Sequence, residues 1–274
     1  MIVIDVGANK GDFSGYLLSQ NENLRIFAFE PNTRECDESL NSISERYPSN
    51  FTYIPKAIAR ANGIAKLFAP QVLDGQVGSL LEINRNGAWH IGLREKIAEE
   101  KGDEFIEVET CTVEDFSKLY EVQNIDFVKI DTQGTDLDIL EDFLRRCNVK
   151  VAVVEIEINS DIRLSHYLDS KNDIDRLMNI LDVHHYKIIR MMPGSADCRE
   201  YNVFLSKSLE DYAEVDNIIN FKLIPVFSRF WEVLGIGDRN TNMYNLQKSL
   251  FLKIISAFAH PVQSYRSVLI KLSS

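Results

Sequence analysis

Short apolar runs rich in Val, Ile and Phe recur along the chain and indicate β-strands. They occupy segments 2–6, 25–30, 51–55, 126–131, 151–157, 184–190 and 201–206. Between most of these runs, apolar residues recur every three or four positions, which predicts amphipathic helices. The predicted helices are 12–20, 33–46, 134–146 and 172–182. Strands that are apolar on both faces and alternate with helices favour an α/β fold, in which helices cover both faces of a mostly parallel sheet.

The last two predicted strands are joined by a loop that contains Pro193 and Gly194. This connection is short enough for an antiparallel hairpin, whereas the earlier connections contain helices and suit parallel neighbours. We therefore expect a Rossmann-like sheet of seven strands, six of them parallel, with the strand at 201–206 running opposite. A helical segment at about 85–105 is predicted to interrupt the alternation.

After residue 207 the strand pattern stops, and Leu, Ile, Phe and Trp recur at helical spacing. The chain is therefore predicted to divide into an α/β domain at 1–207 and a helical C-terminal extension at 208–274. Each helix of the extension has an apolar stripe that must be buried. Three partners are open for it: the α/β domain itself, the same helices of a second copy in a homodimer, or a membrane surface.

The segment DVGANKGD lies where the first predicted strand turns into its helix. In open parallel sheets, ligands bind beyond the carboxyl ends of the strands. Gly7 and Gly11 allow a sharp turn and a close approach of a ligand to the backbone. Asp5 can accept a hydrogen bond from an ammonium group, and Glu30 at the end of the second strand can accept both hydroxyls of a ribose. A nucleoside-containing cofactor is predicted.

Several motifs resemble, in order and spacing, those of FkbM-type methyltransferases. They are VIDVGANKGDFS, FEPN, TVEDF, FVKIDTQGTDLDIL, VVEIE and YNVFL, which together extend from the N-terminus to about residue 206. The resemblance implies an S-adenosylmethionine-dependent enzyme of the Rossmann-like class. It also implies O-methylation of a hydroxyl group on a sugar, a glycan or a natural product.

By this resemblance, the methionine part of the cofactor would be held by Asp5, Gly7, Ala8, Asn9 and Gly11. Glu30 would hold the ribose, and the adenine side would be lined by Pro31, Asn32 and Ala57. Asp131 and Gln133 complete the predicted cofactor-binding set. Gln133 stands where the family usually has an acidic residue, so a carboxylate function does not carry over to that position.

Transfer of a methyl group to an aliphatic hydroxyl requires a group that takes up the hydroxyl proton. Asp131 ends the fourth predicted strand, beside the first, and Lys129 shares its face because side chains alternate along a strand. Glu155 lies on the next strand, where it is a possible neighbour of Lys129. These three residues are candidate catalytic groups, and a buried structural ion pair is the alternative.

Among the histidines, His90 is a further candidate base, since the predicted insertion at 85–105 could cover the cleft. The remaining histidines, His166, His184, His185 and His260, are assigned to a helix surface, a strand or the C-terminal tail. Ser79, after a glycine-containing turn, either contacts substrate or caps a short helix.

Composition narrows the class of protein. The chain of 274 residues has a formal net charge of −11 and a pI of about 5.0, which disfavours nucleic acid as a partner. The four cysteines are too widely spaced to predict a disulfide framework, and no metal site is predicted. The sequence contains neither a signal-peptide pattern nor an apolar run long enough to span a bilayer, so a cytoplasmic location is expected.

Two other classes of protein compete with the methyltransferase interpretation. A nicotinamide-dependent oxidoreductase would also place glycines and an acid at these positions, but its turn would have the pattern GxGxxG instead of GANKGD. A catalytically degenerate relative would bind S-adenosylmethionine without transferring the methyl group.

Overall fold

The computed structural model describes residues 1–69, 77–87, 95, 105–157, 165–193 and 200–221. Ten strands lie in these ranges: β1 Ile2–Val6, β2 Arg25–Phe29, β3 Phe51–Ile54, β4 Ala57–Ile58, β5 Gly63–Phe68, β6 Phe105–Cys111, β7 Asn124–Ile130, β8 Asn148–Glu157, β9 Lys187–Pro193 and β10 Glu200–Ser206. The helices are α1 Asp12–Gln20, α2 Thr33–Arg46, α3 Val113–Leu119, α4 Asp136–Arg146, α5 Ile174–His184 and α6 Leu209–Ile219.

The main sheet has seven strands in the order β3-β2-β1-β7-β8-β10-β9. β10 is antiparallel to both of its neighbours, and the other pairings are parallel. The predicted Rossmann-like sheet, with six strands in one direction and the strand at 201–206 reversed, is therefore confirmed. The strand predicted at 184–190 begins later, at Lys187, because α5 continues to His184 and ends at His185 in the left-handed conformation.

A second sheet of three strands, in the order β4-β6-β5, was not predicted. In β6, Val108 and Thr110 are buried while Glu107 and Glu109 are exposed, so one face of the strand packs inward. Phe105 is the first residue of β6, which corrects the end of the helical segment predicted at 85–105. Most of that segment, including His90, lies outside the described residues.

Local sequence explains where the later helices begin. Thr112, Asp173 and Ser208 cap α3, α5 and α6, each accepting a hydrogen bond from a backbone N–H three residues on. α4 begins at Asp136 and not at the predicted residue 134, since Gln133 and Gly134 have positive φ values of 57° and 112°. The helices predicted at 12–20 and 33–46 have the bounds of α1 and α2.

α6, the first part of the predicted C-terminal extension, packs against β8 and β10. Val215 and Phe221 are fully buried in the core beside this face of the sheet. The Phe221 ring lies 4.9 Å from the ring of Phe127 on β7 and 5.0 Å from that of Phe204 on β10, measured between centroids. The chain up to residue 221 thus contributes to the core of the α/β domain.

The described residues up to 221 belong to one compact unit. Residues 222–274 lie outside the described ranges, so the predicted homodimer through the C-terminal helices stays a prediction. Within the ranges that the structure describes, no helix combines the length and apolar character needed to cross a bilayer.

Replacing Phe221 by Ala is expected to lower the free energy of unfolding by about 3–5 kcal/mol, because it removes a fully buried ring from an aromatic cluster. Urea unfolding of the full chain measures the change. Leu209→Ala is the matched control on α6, where the side chain is 71% exposed, and its effect should stay within about 0.5 kcal/mol. Equal effects of the two substitutions would contradict the placement of Phe221.

Candidate active site

The candidate site is a cleft at the carboxyl edge of the main sheet, where β1 lies between β2 and β7. The chain leaves β1 toward β2 on one side and returns through β7 on the other, which makes this edge the switch point at which open α/β sheets bind ligands. Predicted site residues that line the cleft are Gly7, Asn9, Glu30, Pro31, Ala57, Asp131 and Gln133.

The turn after β1 has a conformation that requires glycine. Gly7 has a φ of 76°, and a Cβ at this position would lie 1.9 Å from the carbonyl oxygen of Asp131. The backbone N–H groups of Gly7 and Ala8 donate to the carbonyl of Phe29, at 3.0 Å each. The ends of β1, β2 and β7 are therefore held in direct contact around this turn.

Gly11 has the conformation that its predicted sharp turn requires, and its predicted contact with the cofactor stays a prediction. Its φ is 81°, and a Cβ there would lie 2.5 Å from the Ile43 Cδ1 atom on α2. Gly11 therefore allows α1 to pack closely on α2. It does not line the cleft. Ala8 is buried and does not line the cleft either.

Glu30 is fixed by backbone groups on both of its carboxylate oxygens. Oε2 accepts a hydrogen bond from the N–H of Asn9 and Oε1 from that of Asn32, both at 2.8 Å. Burial raises the pKa of Glu30, and the two backbone N–H groups oppose this shift. Since a carboxylate accepts about four hydrogen bonds, each oxygen retains acceptor capacity on the cleft side, which fits a vicinal diol.

Asn32 provides a second indication of a polar ligand near Glu30. Its side chain is 2% exposed, and neither its Oδ1 nor its Nδ2 atom has a hydrogen-bond partner among the described residues. Buried amides are normally paired, so an unpaired one beside a ligand cleft is consistent with a group that binds there. The donors and acceptors around Glu30 thus fit a ribose-bearing cofactor.

Asp5 and Lys129 form a buried ion pair below the cleft. The Lys129 Nζ atom lies 3.2 Å from Asp5 Oδ1, 3.2 Å from the carbonyl oxygen of Gly7 and 3.5 Å from Asp131 Oδ2. Asp5 is fully buried and also accepts a hydrogen bond from Ser14. It is therefore occupied by protein partners, and the predicted contact of Asp5 with an ammonium group of a ligand is replaced by its contact with Lys129.

Lys129 is a cation in this setting. Burial alone would lower the pKa of Lys129, but the carboxylates of Asp5 and Asp131 raise it above its ordinary value. A lysine with a raised pKa cannot accept a proton at neutral pH, so Lys129 is not a general base. Its ion-pair partners are Asp5 and Asp131, since the strand register places Val153 and not Glu155 opposite Lys129.

The Gln133 side chain hydrogen-bonds to two carboxylates, one that follows β7 and one near the end of β8. Its Nε2 group donates to Asp131 Oδ1 at 2.9 Å and to Glu155 Oε2 at 3.3 Å, while its Oε1 atom accepts from the Tyr167 hydroxyl at 2.8 Å. Burial, followed by the charges of Glu200 and Asp131, raises the pKa of Glu155 well above its ordinary value. An amide suits this position because it donates to both acids, whereas a carboxylate would repel them.

Ser79 lines the other side of the cleft, and Tyr167 contacts Gln133, which also lines it. The Ser79 hydroxyl donates to the carbonyl of Gln133 at 2.6 Å and accepts from the N–H of Leu81 at 3.0 Å. The Tyr167 hydroxyl also approaches the carbonyl of Val77, at 3.2 Å. Ser79 thus lines the cleft and stabilises a local turn, whereas residues 80–87 do not form the short helix that it was predicted to cap.

His166 belongs to a second polar cluster that sequence reasoning missed. It is 9% exposed, and its Nδ1 atom lies 2.7 Å from Glu200 Oε1 and 3.2 Å from Glu157 Oε1. This buried position in a connecting segment is none of the three predicted settings, a helix surface, a strand or the tail. Burial acts to lower the pKa of His166, but hydrogen bonds to Glu157 and Glu200 raise it to about 10. No periodic pattern marks this residue, because it lies between β8 and α5.

The fold is an α/β fold with a parallel central sheet, and its cleft lies at the switch point where such sheets bind ligands. Residues 5–188 match the family model described as the methyltransferase FkbM domain, and the chain belongs to this family. The protein is an S-adenosylmethionine-dependent methyltransferase, and S-adenosylmethionine is its cofactor. No curated protein sequence gives a significant match.

Similar solved structures include a precorrin-6y C5,15-methyltransferase from Geobacter metallireducens, with 15% identity and a TM-score of 0.38 over 76% of this chain and 80% of that one. Another is an O-methyltransferase family 2 protein from Planctomyces limnophilus in complex with apigenin, with 9% identity and a TM-score of 0.39 over 76% and 50%. A third is the O-methyltransferase NcsB1 from neocarzinostatin biosynthesis, with 9% identity and a TM-score of 0.39 over 75% and 48%. The chain spans about half the length of the last two.

Glu30→Gln should weaken the binding of S-adenosylmethionine by about tenfold to a hundredfold. The NH2 group of the new amide would face a backbone N–H, so two donors would meet, and the charged acceptor for the ribose hydroxyls would be lost. Titration calorimetry measures the dissociation constant. Glu38→Gln, at an exposed position on α2, is the control and should bind like the unaltered protein. Unchanged affinity of Glu30→Gln would rule out Glu30 as a cofactor contact.

Gln133→Glu is expected to lower the free energy of unfolding by about 1–3 kcal/mol above neutral pH, because a third carboxylate would meet Asp131 and Glu155. The introduced acid would have a higher pKa in the folded than in the unfolded chain. Its penalty is therefore present above the folded-state pKa and shrinks as the pH falls.

Denaturant unfolding over a range of pH tests this behaviour of Gln133→Glu. Gln123→Glu is the matched control, since residue 123 is exposed and precedes β7, at the opposite end of the strand from Asp131. If the free energy of unfolding depends on pH in the same way in both variants, the Gln133 amide is not needed to avoid repulsion between the acids.

Proposed function

We propose that this methyltransferase transfers a methyl group from S-adenosylmethionine to a hydroxyl oxygen of a sugar, a glycan or a natural product. The observation that carries the proposal is the Asp131 carboxylate. Its side chain is 35% exposed at the cleft, although Lys129 and Gln133 hold it from behind. A fixed, accessible carboxylate is suited to accept the proton of an aliphatic hydroxyl during methyl transfer.

The proposed cofactor position follows from the cleft. Glu30 would accept hydrogen bonds from the ribose hydroxyls, with Pro31 and Ala57 lining the adenine side and the turn from Gly7 to Asn9 facing the methionine part. When bound, S-adenosylmethionine supplies an electrophilic methyl group on a sulfonium centre. The cleft extends from Glu30 to Asp131, so one groove serves both the cofactor and the acceptor.

In the proposed mechanism, the protein orients the acceptor oxygen and removes its proton. Asp131 uses one lone pair of Oδ1 for Gln133, and its Oδ2 atom faces Lys129. Each oxygen can accept a further hydrogen bond, which would hold the acceptor hydroxyl for in-line attack. Lys129 balances the negative charge of the carboxylate, and Gln133 fixes its orientation. Both are positioning residues.

Glu155 is the second candidate for proton uptake. Its raised pKa brings it nearer to the range in which a general base is efficient, and the Gln133 amide couples it to Asp131. Asp131 is preferred because it lines the cleft directly. His90 lies outside the described residues, and its predicted catalytic function stays a prediction.

The acceptor class is tested with purified protein and S-adenosylmethionine against pools of sugars, glycans and natural products. Mass spectrometry should detect a gain of one methyl group, and fragmentation should locate it on oxygen. A product methylated only on nitrogen or carbon would contradict the proposal.

Asp131→Asn should reduce kcat by about a hundredfold to ten-thousandfold, because an amide cannot take up the hydroxyl proton. The dissociation constant for S-adenosylmethionine should change much less than kcat. Steady-state kinetics on an acceptor from the screen and calorimetry on the same samples separate the two effects. Asp182→Asn, at an exposed position on α5, is the control and should leave kcat unchanged. Full activity of Asp131→Asn would move the base to another residue.

A further inference from the structure

A second cluster of titratable groups lies at the end of β8, beyond the residues assigned to proton uptake. Glu157 is the last residue of β8 and pairs in register with Glu200, the first residue of the antiparallel strand β10. His166, in the connection from β8 to α5, places Nδ1 between the two carboxylates, at 2.7 and 3.2 Å from their oxygens. One possible ligand atom from each of the three residues lies within 4.8 Å of the others.

The backbone around His166 is held in place on both sides. The N–H of His166 donates to Glu157 Oε1 at 3.1 Å, and its carbonyl accepts from the N–H of Asn84 at 2.9 Å. The Asn84 side chain donates to the carbonyl of Ser165 at 2.7 Å. The imidazole is therefore brought to the two acids by a fixed segment, and the cluster is pre-organised.

Ser165 gives an independent indication that a ligand belongs here. It is 5% exposed, and its hydroxyl lies close enough to Glu157 to help lower the pKa of that carboxyl. Its Oγ atom nevertheless has no partner at hydrogen-bonding geometry in the part of the chain that the structure describes. Buried hydroxyls are normally satisfied by protein, water or a bound group. A water molecule on a bound ion would supply the missing partner.

We propose that Glu157, Glu200 and His166 form a binding site for a divalent first-row transition ion. Two carboxylates balance the charge of the ion, and carboxylate with imidazole is a donor set that suits manganese, iron or zinc. The imidazole coordinates as the neutral form, so the ion takes the place of the proton that His166 shares with the two acids. Three protein ligands leave coordination positions for water or for an acceptor oxygen.

The location would allow the ion to take part in methyl transfer. This part of the inference rests on the proposed function. Glu155 lies two positions before Glu157 on the same side of β8, and Tyr167 directly follows His166; both contact Gln133. An ion at the end of β8 would thus lie on the acceptor side of the cleft. There it could bind the acceptor hydroxyl or a neighbouring oxygen and make the hydroxyl more acidic.

The site is tested by metal binding, which does not depend on methyl transfer. The full chain, cleared of metal with a chelator and dialysed, is titrated with Mn²⁺ and separately with Zn²⁺ at neutral pH. Calorimetry gives stoichiometry and affinity, and electron paramagnetic resonance reports bound Mn²⁺. We expect one saturable site per chain, and we expect Glu157→Gln and Glu200→Gln each to weaken it by at least about tenfold.

Glu210→Gln, at an exposed position on α6, is the matched control and should bind the ion like the unaltered chain. Affinity for S-adenosylmethionine, measured on the same samples, establishes that each variant is folded, and either Glu157→Gln or Glu200→Gln suffices. Absence of saturable binding of both ions, or equal binding by the folded variants, overturns the site. Metal binding without a methylated hydroxyl product supports the site and counts against the proposed acceptor chemistry.

Discussion

The active-site edge depends on one buried cation. The Lys129 ammonium lies among Asp5, Asp131 and the carbonyl of Gly7, which belong to the ends of β1 and β7. A buried ammonium is tolerated only when opposite charges and acceptors surround it, so the two strand ends cannot separate without leaving charge unpaired. At the same two strand ends, the turn at Gly7 packs directly against the backbone carbonyl of Asp131. The turn after β1, which would face the cofactor, and Asp131, the candidate base, are thereby fixed relative to each other.

Several carboxylates lie close together beyond this cation, and hydrogen-bond donors placed between them reduce their mutual repulsion. Asp131, Glu155, Glu157 and Glu200 all lie near the carboxyl edge of β7 and β8. Gln133 donates to the first two, and His166 donates to the last two. Each donor allows a pair of carboxylates to approach closely, so the site can concentrate oxygen ligands and proton acceptors without unpaired repulsion.

Much of the fold was predictable because its central strands are buried on both faces. Val3 and Ile4 of β1 and Phe127 and Val128 of β7 are all fully buried, and such apolar runs stand out in a sequence. The small sheet was missed because β4 has two residues and β5 exposes Ile64. β6 does alternate between apolar and polar residues and could have been recognised.

The site was predictable only where strand ends define it. Gly7, Glu30 and Asp131 follow or end strands of the parallel sheet, so their convergence follows from topology. The partners of Lys129 required the register of β1 with β7, which sequence does not supply. His166 and Glu200 meet Glu157 from a connecting segment and from a hairpin partner, and neither has a local pattern that indicates such a contact.

The antiparallel placement of β10 between β8 and β9 has a consequence for how the sequence can vary. Glu200 reaches Glu157 only because β10 begins at the carboxyl edge, runs antiparallel to β8 and pairs with it in register. Side chains alternate between the faces of a strand, so a slip of one residue would turn Glu200 to the opposite face. Buried positions of β10 can exchange one apolar residue for another while the cluster survives. A single-residue insertion or deletion within the strand would break it, although the strand itself could still form.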